Sequence, residues 1–368
     1  MKYNFDPSMF VDLNPGPLAP QASALARLRH SPKLPVYTAS TAPRSQPQTN
    51  TPVCHHSYLI LTLTMNPAID RTIAVDRLAF DDRAYILSSN DSAGGRGINA
   101  SVVIHSFGGK TLAVLPAGGE PAARFEKFMD HCGFPVATVP IRNDIRLNLT
   151  ITDRNGLTVK LNEAGPRLDR EEVANVESTV EAYLGSASWL MLCGSLPPGV
   201  PTDFYAQLIT RARRKNVRTL LDSDGDALFR GIEAEPTIVT PNQQEAEHLL
   251  GTVLLTRSSA ITAARRIQSM GAQSVVLSLG ARGALGASGT FLWEAIPPRI
   301  EAISPIGAGD AMAAAVLWSI ESGDEFPQAL AWGVAAGTAS AKLPGIQFAT
   351  LEQARAIRGD IDLRRIES

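Results

Sequence analysis

From residue 58 onward, short runs dense in aliphatic and β-branched residues alternate with longer stretches whose apolar positions recur every three or four residues. YLILTLT, TLAVLP, SWLMLCGS, VRTLLDSD, TIVTPN and SVVLSLG read as strands. Residues 98–107, 122–132, 170–183, 203–214, 260–270 and 311–320 read as helices. Apolar strands alternating with helices specify an α/β fold with a mostly parallel sheet covered on both faces. Its crossovers are right-handed, and its ligand-facing loops gather at the carboxyl ends of the strands. Two stretches break the rhythm. Residues 71–89 and 147–161 alternate with period two but are too polar for a buried sheet, so together they are expected to form a small lid.

Residues 1–57 follow neither period. Pro7, Pro15, Pro17, Pro20, Pro32, Pro35, Pro43, Pro47 and Pro52 are scattered among Ser, Thr, Ala and Gln. Such a segment buries too little apolar surface to offset its ordering, and it is expected to be a disordered extension or an upstream start-site artefact. It lacks the basic start and apolar core of a secretory signal. The folded domain is therefore taken as 58–368. With 34 basic and 36 acidic residues the formal charge is −2, which gives no electrostatic footprint for nucleic acid or an anionic membrane. No apolar run reaches the length of a membrane span. Cys54, Cys132 and Cys193 lack metal-ligand spacing and fit free thiols in a reducing, cytoplasmic setting.

The chemistry concentrates in glycine-bounded loops. In SPIGAGDAMAAAV, Asp310 stands behind Gly307, Ala308 and Gly309 and before a strong helix former. A helix cap is one reading of that carboxylate. The other is phosphoryl transfer, with small-residue amides holding an anion and Asp310 accepting a hydroxyl proton. AGGRGINAS has no dinucleotide register, and no tight strand-to-helix turn is expected before it. Its glycines admit close approach of a polyol to the backbone, and Asn99 offers both donor and acceptor to hydroxyls. FGGKT fails as a P-loop because Ile104 stands where the first glycine belongs.

NPAIDRT places Asp70 just after the first strand, either as a turn residue or as an acceptor for two sugar hydroxyls. RLNLT begins the second lid segment with Arg146, and GSLPPGV follows a strand with Ser195. Arginine forks match phosphate oxygens, so this pair can meet a phosphate. In TPNQQEAEHLL, Asn242 and Glu245 form a capping box, and the same spacing suits water held on a magnesium ion. SLGARGA ends a strand in a turn that can approach a nucleotide.

The order of NPAID, AGGRGIN, RLNL, LNEAGP, GSLPPGV, LDSDGDAL, PNQQE, SLGARGA, GAGDAM and AAGTASAKLPG closely resembles the ribokinase-like, PfkB-type carbohydrate kinases. Within them it is similar to the 1-phosphofructokinase and tagatose-6-phosphate kinase branch. The resemblance runs from about Tyr58 to the C-terminus. It implies a three-layer α/β/α domain with a β-sheet lid, using ATP and Mg²⁺. It implies Asp310 as catalytic base and Gly307, Ala308 and Gly309 as anion hole. Asp70, Gly94, Gly95, Arg96 and Asn99 are then expected around the sugar, with Arg146 and Ser195 on the substrate's existing phosphate. Asn242 and Glu245 are expected to serve the magnesium through water, and Ser278, Gly280, Gly283 and Gly309 to line the nucleotide site.

Three positions depart from that pattern. Arg96 replaces the usual lysine, Tyr85 replaces a common lid arginine with Arg83 nearby, and Thr240 stands where lysine is frequent. The implied reaction is ATP-dependent phosphorylation of a ketohexose phosphate, fructose 1-phosphate first, then tagatose 6-phosphate or fructose 6-phosphate. A non-catalytic sugar-phosphate sensor of the same fold is the rival from another class. The expected partners are a sugar phosphate, ATP and a second copy paired through the lid.

Overall fold

The apolar runs become parallel strands because a run that is apolar on both sides must be covered on both sides. The computed structural model describes residues 59–79 and 82–367, so the expectation for 1–57 lies outside the described residues. In chain order its elements begin with β1 (Leu59–Thr64), β2 (Ala68–Val75), β3 (Ile86–Gly94), α1 (Arg96–Ser106), β4 (Lys110–Gly118), α2 (Glu120–Asp130) and β5 (Val136–Ile141). Next come β6 (Arg146–Thr152), β7 (Thr158–Asn162), α3 (Arg170–Leu184), β8 (Trp189–Cys193), α4 (Phe204–Arg214), β9 (Arg218–Asp222), α5 (Gly225–Glu233) and β10 (Ile238–Val239). The remainder are α6 (Gln243–Leu250), α7 (Arg257–Ser269), β11 (Ser274–Ser278), β12 (Ala284–Ser288), β13 (Phe291–Ile296), α8 (Ala308–Glu321), α9 (Phe326–Ala341), α10 (Leu351–Arg358) and β14 (Asp362–Ile366).

Ten strands form one sheet in the order β14-β13-β12-β11-β10-β9-β8-β1-β4-β5. It is parallel from β5 to β11 and antiparallel from β11 to β14. Successive side chains of β1 point to opposite faces, so Ile60 joins the core under α1, α8, α9 and α10, while Leu61 and Leu63 join the core under α2 to α7. The result is the α/β/α sandwich that the resemblance implied. Among the described residues, no helix is long and apolar enough to cross a membrane.

Two anchors fix the helices that carry the site. Helix α1 is tied to the sheet by a buried hydroxyl chain: Thr62 Oγ1 lies 2.8 Å from Ser101 Oγ, which lies 2.9 Å from Thr111 Oγ1. Thr111 in turn donates to the Ile60 carbonyl at 3.0 Å. Helix α8 is held at its far end by Glu321, which accepts from Ser188 Oγ at 3.0 Å and Trp189 Nε1 at 2.5 Å and pairs with Arg218. Buried alanines and glycines let α8 and α9 approach closely.

The lid is a four-stranded sheet in the order β3-β2-β6-β7. Its register sets Ala68 beside Arg146, Asp70 beside Asn148 and Asn148 beside Asn162, with Thr150 beside Lys160 one step further on. Asp91 of β3 accepts from Arg71 of β2 at 2.7 and 3.0 Å and also pairs with Arg124 of α2, joining lid to sandwich.

Some element boundaries differ from the sequence reading. The lid strands start at 68 and 146 and run on to 94 and 162, because Asp70, Arg146 and Asn162 belong to its ladder rather than to loops. Strand β3 passes through Gly95 directly into α1, so the glycine cluster itself spans a tight strand-to-helix junction, whose strand belongs to the lid. Helix α9 is buried all round and therefore carries no amphipathic period to read.

A methyl on Gly333 of α9 would stand 2.6 Å from Val316 Cγ2 and 3.0 Å from the Met312 carbonyl oxygen. Gly333→Ala is therefore expected to force α9 off α8 and lower unfolding free energy by about 1–3 kcal/mol. Denaturant unfolding of the variant checks this, and an unchanged midpoint would show that the helices do not pack so closely.

Candidate active site

Strand ends set the site. The carboxyl ends of β1, β8, β9, β10 and β11 open toward the lid, and a cavity of about 390 Å³ lies between them. It is lined from below by Gly95, Arg96, Asn99, Asp222, Asn242 and Asp310, and from the lid by Asp70, Arg146, Asn148 and Lys160. Ser278 and Thr240 close the side toward β11, and Ile306, Met312 and Ile346 supply apolar wall.

Asp310 is not a helix cap. Gly307 takes the cap position of α8 in the left-handed region at φ 78°, which glycine adopts without a Cβ penalty. The helix therefore starts at Ala308, three residues earlier than its alanine run suggests, and Asp310 becomes the third residue of its first turn. Its Oδ2 accepts a 2.7 Å hydrogen bond from Asn99 Nδ2 of α1. The backbone N–H groups of Gly307, Gly309 and Asp310 find no partner among the described residues, whereas the Ala308 N–H turns back to the Pro305 carbonyl at 3.3 Å. A Cβ at Gly309 would meet only open space. A helix N-terminus with free amides beside an open cavity favours an anion there.

Beneath Asp310, one guanidinium gathers three carboxylates. Arg96 Nη1 donates to Asp222 Oδ1 at 2.8 Å, and Nη2 donates to Glu245 Oε1 at 2.9 Å and Asp224 Oδ2 at 3.3 Å. Burial alone would lower the Arg96 pKa, but these carboxylates and Asp310 hold it well above the ordinary arginine value. Burial raises the Asp310 carboxyl to about 7, helped by Asp222 and opposed by Arg96 and the Asn99 hydrogen bond. Burial also raises Glu245, against the pull of Arg96.

Asn242 and Glu245 form the capping box that their spacing suggests. Glu245 N donates to Asn242 Oδ1 and Asn242 N to Glu245 Oε2, each at 2.9 Å, closing the capping box of α6. Each Glu245 oxygen thus already accepts one hydrogen bond, which leaves a lone pair apiece for a water but no open bidentate face. Among the described residues, no cluster of three or more His, Cys, Asp or Glu is arranged to enclose a metal. This donor set fits Mg²⁺ delivered on nucleotide phosphates, which keeps most of its waters, rather than an ion caged by protein.

On the lid side, Asn148 Nδ2 donates to Asp70 Oδ1 at 2.9 Å. Burial raises the Asp70 pKa, while Asn148, Arg146 and Lys160 act to lower it. A methyl on Gly94 would stand 2.1 Å from Asp70 Oδ2, so only glycine leaves this carboxylate its place. Arg146 donates to the carbonyls of Asn66 and Glu163 at 2.9 and 3.2 Å, and its buried Nε has no partner. Burial lowers its pKa.

The cavity thus brings together Asp70, Gly95, Arg96, Asn99, Arg146, Asn242, Glu245, Ser278, Gly307, Gly309 and Asp310 from the sequence reading. Gly94, Ser195, Gly280, Gly283 and Ala308 do not line it: Ser195 accepts from Asn66 Nδ2, and Gly280 and Gly283 flank the turn after β11. Sequence reasoning passed over Asn148, Lys160, Asp222 and Asp224. Period two from Arg146 points to Asn148, and Asp222 and Asp224 stand in LDSDGDAL at a strand's carboxyl end.

Residues 62–354 match the model of the pfkB family carbohydrate kinases. The chain is 32% identical over 290 residues to the ATP-dependent 6-phosphofructokinase isozyme 2 of Mycobacterium tuberculosis, covering 78% of this chain and 85% of the relative. It is 25% identical over 304 residues to the 1-phosphofructokinase of Vibrio cholerae, covering 83% and 96%. The solved phosphofructokinase-2 of Escherichia coli in complex with potassium superposes with TM-score 0.78 at 29% identity, covering 82% and 98%. A tetrameric inhibited form of that E. coli protein is also solved.

The raised Asp310 pKa has a stability consequence. Because folding disfavours its charge, the stability it contributes is full below the unfolded value of 3.8 and is lost as pH rises toward 7. Asp310→Asn, which keeps the shape and cannot ionise, is expected to melt a few degrees above the parent at pH 8 and equally below pH 4. Equal melting at both pH values would mean that the carboxylate is well solvated.

Proposed function

The chain belongs to the pfkB family of carbohydrate kinases and is an ATP-dependent sugar kinase, and from that premise we propose that its substrate is a ketohexose phosphate, with fructose 1-phosphate first. The observation that carries the reading is the pairing of two unlike subsites in one cavity. Arg146, with unspent donors, offers charge to a phosphate already on the sugar. Asp310, beside free amides, offers a base to a hydroxyl. A sugar without phosphate would leave Arg146 unmatched.

In this mechanism Asp70, with Asn148, accepts sugar hydroxyls, and Asn99 keeps one Asp310 oxygen turned so that the other faces the substrate. The attacking hydroxyl oxygen forms a bond to the γ-phosphorus, the bond to the β–γ bridging oxygen breaks, and the hydroxyl proton passes to the Asp310 carboxylate. The amides of Gly307, Gly309 and Asp310 stabilise the charge on the moving phosphoryl group. ADP leaves with the bridging oxygen. Asn242 and Glu245 would hold waters of the Mg²⁺ that neutralises the phosphates. Ser278 and the turn beyond it border the adenosine side.

Fructose 6-phosphate, supported by the relatives that are named 6-phosphofructokinases, forms the second reading together with tagatose 6-phosphate. The lid's exposed Tyr85, Ile86, Leu87, Leu157 and Leu161 favour a second copy as its cover.

An ADP-release assay across sugar phosphates tests the substrate, and Asp310→Asn tests the chemistry. Turnover is expected with a ketohexose phosphate and not with free fructose, and the variant is expected to lose about 10²–10⁴-fold in kcat with sugar binding retained. Rapid turnover of unphosphorylated sugar would overturn the substrate reading, and near-parental kcat in the variant would overturn the role of Asp310.

A further inference from the structure

The first residue of the NPAID motif and the LNEAGP motif have no part in the chemistry above, yet they meet. Asn66 follows β1 and is 3% exposed. Its carbonyl accepts from Arg146 Nη2 at 2.9 Å. Its side-chain Nδ2 donates to the Ala164 carbonyl at 3.0 Å and to Ser195 Oγ at 3.2 Å. One residue therefore touches both groups that the sequence resemblance places on the substrate's phosphate: Arg146, which lines the cavity, and Ser195, which stands outside its lining. We propose that Asn66 is the positioning residue of that phosphate subsite, orienting Arg146 through its carbonyl and Ser195 through its amide; this rests on the substrate reading above.

The direction of each hydrogen bond matters. Nδ2 is the only Asn66 side-chain atom that can face the Ala164 carbonyl, since Oδ1 there would set two acceptors together. That orientation makes Ser195 the acceptor from Asn66, which leaves the Ser195 hydroxyl hydrogen unspent. Arg146 commits one N–H each to the Asn66 and Glu163 carbonyls, so three of the five guanidinium N–H groups are unpaired, the buried Nε among them. Glu163 secures the same strand start, its Oε2 accepting from Leu147 N at 2.9 Å.

The loop is shaped around Asn66. Gly165 has φ +95°, and a Cβ there would stand 2.2 Å from Asn66 Oδ1. That buried oxygen has no partner, a penalty that persists because the same amide, turned this way, satisfies Ala164 and Ser195. A carboxylate at position 66 would keep the shape but lose the donor and set a charge beside the incoming phosphate.

The test is steady-state kinetics of the full chain with fructose 1-phosphate, or whichever sugar phosphate the screen turns over, at saturating MgATP. Asn66→Ala is expected to raise KM for the sugar phosphate about tenfold while kcat and the KM for ATP stay within about threefold, since the donors act alike in ground and transition states. Asn66→Asp, which preserves packing, is expected to raise it further. In a chain already carrying Arg146→Ala and Ser195→Ala, adding Asn66→Ala is expected to change kcat/KM by less than about twofold, because the side chain's partner Ser195 Oγ and the guanidinium that the Asn66 loop seats are both gone. An unchanged KM in Asn66→Asp, or an equal loss in both backgrounds, would overturn the positioning role. If the Arg146→Ala/Ser195→Ala chain itself keeps its KM, the phosphate subsite is wrongly placed and the proposal falls with it.

Discussion

The structure turns on one guanidinium held against four carboxylates. Arg96 is the first residue of α1, where the helix dipole disfavours a cation. Asp222, Asp224 and Glu245 bind it there, and Asp310 feels its charge. These groups come from five separate places: the end of β9, the cap of α5 and the first turns of α1, α6 and α8. Removing the guanidinium would leave three or four buried or half-buried acids facing one another, and the site would have to take up protons or come apart. The sheet's parallel topology brings these ends together, and Arg96 lets them stay.

The same arrangement explains why Asp310 is poised rather than simply charged. Burial and Asp222 push it toward the neutral form, and Arg96 and Asn99 pull it back, so it titrates near neutrality. A base works best when its pKa lies near the operating pH. Its position is rigid because both helices beneath it are rigid. The Thr62–Ser101–Thr111 chain fixes α1, and Glu321 fixes the far end of α8.

Much of this was legible in the sequence, and the limits have physical causes. The parallel sheet followed from apolar runs, and the lid from polar alternation in 71–89 and 147–161. The capping box at Asn242 and Glu245 could be read from spacing alone. The start of α8 was placed three residues late because Ala311 onward carries the helix propensity, whereas Gly307 is the residue whose backbone opens the helix. Helix α9 was passed over because full burial leaves no period. Asp222 and Lys160 were missed for a different reason. One is the last residue of β9 and the other lies on a lid strand, and only the folded register aims both at one cavity.

In the proposed mechanism, a carboxylate made reluctant to ionise by burial, and restrained by Arg96, takes the hydroxyl proton. The most direct measurement is the pH dependence of kcat/KM for the sugar phosphate in the parent chain and in Arg96→Gln. An inflection near pH 7 is expected in the parent, set by Asp310, and it moves upward when the guanidinium is removed. The sugar phosphate's own ionisation, at about pH 6, would not move between the two. An inflection that stays in the same place in both proteins would rule out Asp310 as the group that takes the proton.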